Sequence, residues 1–327
     1  MKSILVMFCA VILLLACATP GKPATADNAY TASSTYQKLV ATYPFIQIAN
    51  QTAPASVKVI KDISYVSYGD RDLQLDLFMP ARTPVKALPG IVLVHGGGWR
   101  SGARENLAAM AIRLAGRGYV AAAISYRLSA EAPYPAAIHD VKAAIRWMRS
   151  HASEYHIDSD HIAVAGGSAG GQIAALVGVT NGVPKFDPQA QHSQVSSAVQ
   201  AIINIDGLSD FTSEQARHYE DDPAKKPSSA GAWFGGTYAE KTELWKEASP
   251  LSHVGKNTPP ILFIGSAQKR FSLGREEMMQ KMTALGITTG VVLLPDTPHS
   301  FWLFDPWLEP TVNAMSEFLG REFGLSP

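Results

Sequence analysis

The sequence predicts a mostly parallel, doubly wound sheet of eight strands with helices on both faces. Three observations predict it. Short runs rich in Val, Ile and Ala recur along the chain, as strands buried on both faces require. Segments of helical period fall between those runs. Two glycine-rich turns each follow directly on a strand-like run, and open sheets of this kind carry their sites at such strand ends.

The chain opens on a targeting segment. Lys2 is a short positive region, and residues 4–15 form an apolar run too short to anchor stably across a bilayer. The run ends Leu14-Leu15-Ala16-Cys17, and residues 1–17 read as a signal peptide. Residues 18–55 read as a tether and an irregular N-terminal segment, because 19–34 are rich in Ala, Thr, Ser and Pro without apolar period. Residues 56–327 are assigned to one domain. Within it, 63–68 and 73–78 flank Gly69-Asp70-Arg71 as an antiparallel hairpin. Buried-strand runs follow at 91–94, 120–124, 162–165, 201–205, 261–264 and 291–294. Helical patterns fall at 106–117, 136–151, 172–179 and 275–285. On the second, Ala137, Val141, Ala144, Ile145 and Met148 share one face. Residues 207–256 are less regular, with Phe211, Tyr219, Trp233, Phe234, Tyr238 and Trp245 scattered through them. They read either as a small cap over a pocket or as a helical excursion covering a sheet edge.

Composition narrows the function classes. A formal net charge of zero argues against a nucleic-acid partner, which needs a basic face. The two cysteines are both spent at the N-terminus, Cys9 inside the signal and Cys17 at its end. That leaves none for a disulfide, a thiol nucleophile or a thiolate metal site. Neither a metal nor an organic cofactor is expected, since no His, Asp and Glu cluster has ligand spacing.

The chemistry concentrates in two motifs. Gly166-Gly167-Ser168-Ala169-Gly170 joins a strand-like run to a helix-like run, with a serine at the apex. Small neighbours let the chain reverse sharply, which exposes the Ser168 hydroxyl and aims the Ala169 N–H toward the reacting oxygen. His95-Gly96-Gly97-Gly98-Trp99 ends another strand-like run, and its bare backbone lets the N–H groups of Gly97 and Gly98 approach a substrate oxygen. Read alone it is a flexible loop or a phosphate-binding turn. A phosphate loop needs a glycine and lysine spacing that is absent here.

With these two motifs the chain resembles the α/β-hydrolase fold and, within it, the HGGG-type esterases. The likeness runs over about 62–323 and is also carried by Tyr134-Pro135-Ala136-Ala137-Ile138-His139-Asp140-Val141, Ala248-Ser249-Pro250-Leu251 and Asp296-Thr297-Pro298-His299. It is similar above all to bacterial carbohydrate esterases of the acetyl-xylan or feruloyl type. The resemblance implies a serine esterase acting on short acyl esters, acetyl foremost, on a plant polysaccharide such as xylan. Leu14-Leu15-Ala16-Cys17 resembles the lipobox of bacterial lipoproteins, which implies a mature chain from Cys17, lipid on that cysteine and a membrane-anchored place in the cell envelope, facing the periplasm or the exterior.

A serine hydroxyl needs a base within hydrogen-bond reach. Of nine histidines, His299 alone follows the last expected strand, where this fold places its base. His95 is expected to brace its loop. The acid is where the pattern breaks. The fold usually carries Gly-[Ser/Thr]-x-Asp after its seventh strand, whereas this chain reads Gly265-Ser266-Ala267-Gln268. An amide does not stabilise an imidazolium. Asp296 ranks first as substitute, three residues before His299, and Glu276, beside Glu277, ranks second. Asp210 ranks third; it and Asp206 follow the strand at 201–205. Each also reads as a helix cap or a solvated carboxylate. Trp99 and Trp302 flank the two loops and are expected to meet substrate, Trp307 equally to pack beneath them. Asp140 reads as structural. Rival readings are a general carboxylesterase or lipase, a peptidase, and a surface-anchored binding protein on a decayed hydrolase scaffold.

Overall fold

The computed structural model describes residues 30–188 and 194–325. The expected signal peptide, Cys9, Cys17 and most of the expected tether lie outside them. The strands are β1 (Gln47–Ile48), β2 (Val57–Tyr68), β3 (Arg71–Pro80), β4 (Leu88–Val94), β5 (Val120–Ile124), β6 (Ile157–Gly167), β7 (Ala201–Ile205), β8 (Ile261–Gly265), β9 (Thr289–Leu293) and β10 (Phe304–Asp305). The helices are α1 (Ala32–Leu39), α2 (Ala108–Gly116), α3 (Ala136–Ser150), α4 (Ala152–Tyr155), α5 (Ala169–Val179), α6 (Glu214–Glu220), α7 (Ser229–Phe234), α8 (Tyr238–Glu247), α9 (Arg275–Ala284) and α10 (Leu308–Glu322).

Eight strands form one sheet in the order β2-β3-β5-β4-β6-β7-β8-β9. The β2–β3 and β3–β5 pairs are antiparallel, and every later pair is parallel. This is the α/β-hydrolase arrangement that the sequence led us to expect. Alternation along the parallel strands divides the core. Val92, Val94, Val164 and Ile202 face α3, α5 and α9 in one apolar cluster. Ile91, Leu93, Ala163 and Ile203 face α2 and α10 in the other. Both faces are covered, so these strands carry no polar face, and their composition reads as continuous apolar runs.

The N-terminal segment departs from expectation. From residue 30 it is no tether. Thr31 caps α1 through a reciprocal bond pair with Ser34. β1 pairs antiparallel with β10, and Ile46 and Ala49 are buried in the second cluster. The signal for α1 lay in its cap and not in any apolar period, because the helix is only eight residues long. The sequence also left α10 unassigned, although its Leu308, Val312, Met315 and Leu319 are buried at helical spacing.

Candidate active site

β6 delivers Ser168 and the sheet aims it. The chain leaves Gly167 and enters α5 at Ala169, with Ser168 at φ 57° and ψ −124°. A non-glycine residue there is strained and is held only because its surroundings fix it. Its N–H donates to the Ile205 carbonyl at the end of β7 (2.8 Å). The glycines around it are packing requirements. A Cβ on Gly170 would stand 2.1 Å from the Val94 carbonyl oxygen, and one on Gly166 would stand 2.3 Å from that of Gly170. Only glycine lets β4, β6 and α5 close to this distance.

The loop after β9 brings His299 to the serine. The structure joins the two expected residues: His299 Nε2 lies 2.8 Å from Ser168 Oγ. Phe271 stacks on the imidazole with centroids 3.4 Å apart and planes within 10°, and Trp302 meets its edge at 5.3 Å. The ring is thus fixed on two sides.

The carboxylate that meets His299 is Asp206, and the ranking of Asp296, Glu276 and Asp210 is corrected. Asp206 Oδ2 lies 3.0 Å from His299 Nδ1. Its other oxygen accepts the backbone N–H of Ser266 (2.7 Å), and its own N–H donates to the Ile264 carbonyl (2.9 Å). The carboxylate therefore rises from the end of β7, and the first residue after β8 orients it. Asp296 is exposed at φ 58° and Asp206 holds His299 Nδ1 in its place, so closeness in sequence did not become contact. Glu276 is exposed and pairs with Arg275 (2.5 Å). Asp210 caps the turn before α6 through the N–H groups of Thr212 (2.9 Å) and Ser213 (2.8 Å). Gln268 is exposed and starts the short 3₁₀ turn Lys269–Ser272. The available signal for Asp206 was its place directly after the apolar run of β7, the strand beside the vacated β8 turn.

His95 braces the glycine loop from below. It is buried and stacks on Tyr126 at 4.3 Å. Burial pushes its imidazole down to about 4, only partly offset by its hydrogen bond to Gly96, so the ring is neutral at pH 7. Nδ1 then donates to the Gly96 carbonyl (2.8 Å). Above it Gly97 sits at φ 120° and Gly98 at φ 59°. The Gly97 carbonyl accepts from the N–H groups of Arg100 and Ser101 at 3.2 and 3.1 Å. Gly98 and Ala169 line one small cavity with Ser168. Ala169 opens α5, whose first N–H groups have no intrahelical acceptor and lie at the positive end of the helix dipole. The cavity floor therefore suits a developing negative charge.

The two expected tryptophans part company. Trp99 lines the cavity, stacks on Trp233 (4.9 Å) and donates through Nε1 to Gln172 Oε1 (3.0 Å). Gln172 then donates to the Ala248 carbonyl (2.8 Å), tying the glycine loop to the Ala248-Ser249-Pro250-Leu251 segment. Trp302 is instead buried behind His299, where a Cβ on Gly167 would strike its ring at 2.4 Å. It packs and does not line the cavity. Trp307 meets Tyr43 and Phe45 edge to face at 5.6 Å, away from the site. Asp140 is structural: it is buried in a forked pair with Arg127 (2.7 Å). Residues 207–256 take part in the cavity, since Glu220 of α6 and Ser229 of α7 line it. Arg270 and Phe271 close the same wall from the turn after β8. Neither of these two was legible in the sequence, because a turn residue's direction is set by tertiary packing.

Comparison with known proteins agrees with this geometry. The BD-FAE family profile matches residues 75–271. Esterase LipC of Mycobacterium tuberculosis is 32% identical over 78% of this chain, and esterase LipQ of the same organism is 30% identical over 80%. The chain spans less than two thirds of these relatives, 64% and 62% of their lengths. Among solved structures, Thermogutta terrifontis esterase 2 with propionate bound superposes at a TM-score of 0.66 with 26% identity, covering 83% of this chain and 96% of that one.

Proposed function

The chain belongs to the BD-FAE family, and on that footing we propose that it is a serine esterase hydrolysing short acyl esters, acetyl foremost, carried on a plant polysaccharide such as xylan. One observation carries the reading: the unbroken hydrogen-bond chain from Ser168 Oγ through His299 to Asp206. His299 Nε2 takes the Ser168 proton as Oγ attacks the ester carbonyl. The N–H groups of Gly97, Gly98 and Ala169 receive the oxyanion. His299 returns the proton to the departing alcohol, and water then releases the acid by the same steps in reverse. Asp206 holds Nδ1–H in place and stabilises the imidazolium.

Short acyl groups are supported by the cavity, which holds about 90 Å³. That is far below the ~300–1,000 Å³ of drug-sized sites. The Thermogutta esterase has been solved with propionate and with butyrate. The polysaccharide rests on the resemblance to carbohydrate esterases and on expected export. The binding-protein reading rested on Gln268, and Asp206 now stands where that vacancy mattered.

Hydrolysis of p-nitrophenyl acetate, lost in Ser168→Ala, tests the reaction. Acetyl release from xylan, set against cleavage of long-chain esters and dipeptide amides, separates the carbohydrate esterase from a lipase or peptidase. A folded protein whose Ser168 is not labelled by a fluorophosphonate returns the question to the binding protein. We further propose a lipoprotein of the cell envelope. Cys17→Ser should release it to the soluble fraction, and continued membrane association of that variant rejects the anchor.

A further inference from the structure

The cavity beyond Ser168 is bounded on one side by an ion pair that the proton relay does not use. Glu220, the last residue of α6, is 5% exposed. Arg270 reaches it from the turn after β8, with Nη2 and Nε at 2.6 and 3.0 Å from one carboxylate oxygen. The guanidinium also lies 5.4 Å from the Tyr219 ring centroid and 5.2 Å from that of Phe271. Two chain segments far apart in sequence are thus tied together at the cavity wall, and both paired side chains line the cavity. We propose that the Glu220–Arg270 pair sets the acyl-chain length this site accepts; the inference rests on the esterase reading.

The assignment to the acyl side follows from size. A polymeric alcohol does not enter a space of about 90 Å³, so it leaves toward solvent and the acyl group takes the pocket. A longer acyl chain must then displace Arg270 or press methylenes against a paired charge. Either course leaves a largely buried carboxylate partly unpartnered, which is costly. The wall therefore rejects length both by volume and by electrostatics. It also occupies the turn that, in the resembling fold, carries the acid.

The test compares kcat/KM for p-nitrophenyl acetate, butyrate and octanoate in wild type, in Glu220→Ala/Arg270→Ala, and in Glu220→Asp. The double variant removes both charges together. Glu220→Asp keeps the charges and withdraws the carboxylate by one methylene. The octanoate-to-acetate ratio should rise about tenfold or more in the double variant, the scale of a pocket gaining room for methylenes. It should rise several-fold in Glu220→Asp. Melting temperature identifies folded variants, and if the double variant does not fold, Glu220→Asp decides alone. An unchanged ratio in a folded variant overturns the proposal. A change confined to alcohol preference, read with acetates of different alcohols, overturns it as well. A wild type inactive on every ester overturns the esterase reading and this inference together.

Discussion

Asp206 reaches His299 from the end of β7, not from the turn after β8, with Oδ2 3.0 Å from Nδ1. The strand order makes this an adjacent-position exchange, since β7 lies between β6 and β8. Ser168 and Asp206 are then held by neighbouring rungs: Ser168 N–H bonds the carbonyl of Ile205, the residue before the acid.

Asp206→Asn should lower kcat on the order of 10⁴-fold with folding intact, the scale of losing the charge behind a catalytic histidine. Asp296→Asn should leave kcat near wild type, because Asp296 is exposed and His299 Nδ1 is held by Asp206. Steady-state kinetics on p-nitrophenyl acetate check both; a reversed order would return the acid to Asp296.

Phe271→Leu should lower kcat a few-fold to about tenfold with a smaller change in KM. The ring stacks on His299 at 3.4 Å and holds the plane of the imidazole. Aromatic pairs of this kind contribute ~0.5–1.5 kcal/mol. Phe271→Tyr should retain most of the rate, whereas loss of mere bulk would be rescued equally by Leu.

Acid should loosen the glycine loop through His95. Burial lowers its folded-state value from 6.5 to about 4, so the unfolded chain binds the proton first as pH falls. The stabilisation is fully present above about 6.5 and is lost as pH falls through about 4. It amounts to on the order of 3 kcal/mol at one unit per 1.36 kcal/mol. Melting temperature should therefore decline between these limits, and His95→Gln should flatten that arm. An equally steep decline in the variant would assign it to other groups.

Lys142 predicts the opposite limb. It is fully buried on α3, donates to the Thr180 carbonyl (3.0 Å) and has its ammonium pushed down to about 7 by burial and then by Arg146. The unfolded chain holds this proton up to about 10.4. Stability from this group therefore grows as pH rises from about 7 and falls away toward it. Lys142→Met should raise the melting temperature at pH 7 and remove the rise between pH 7 and 9, as read by thermal unfolding.

Much of this was legible in sequence, for physical reasons. Strands buried on both faces write continuous apolar runs, so the sheet could be read off. The glycines at 166 and 170 are forced by backbone contact near 2 Å, so the serine turn was legible too. His299 followed from its place after the last strand. The acid did not, because carboxylates serve equally as caps and solvated groups, and only the sheet order says which one faces the imidazole. Asp210 and Asp206 looked alike in sequence; one caps a turn and the other meets His299. Glu220, Arg270 and Phe271 were invisible because their partners lie in distant segments.

The displaced acid also changes what mutation can do here. Ser266 serves Asp206 through its backbone N–H, a contact that any residue but proline supplies. Positions 267–270 therefore stand outside the proton relay, and Arg270 among them lines the cavity. An engineer can randomise them, and selection can vary them, without a toll on the chemistry. In a hydrolase whose acid sits in that turn, the same residues are frozen. Moving one carboxylate by one strand thus separates how the bond is cut from which bond is chosen.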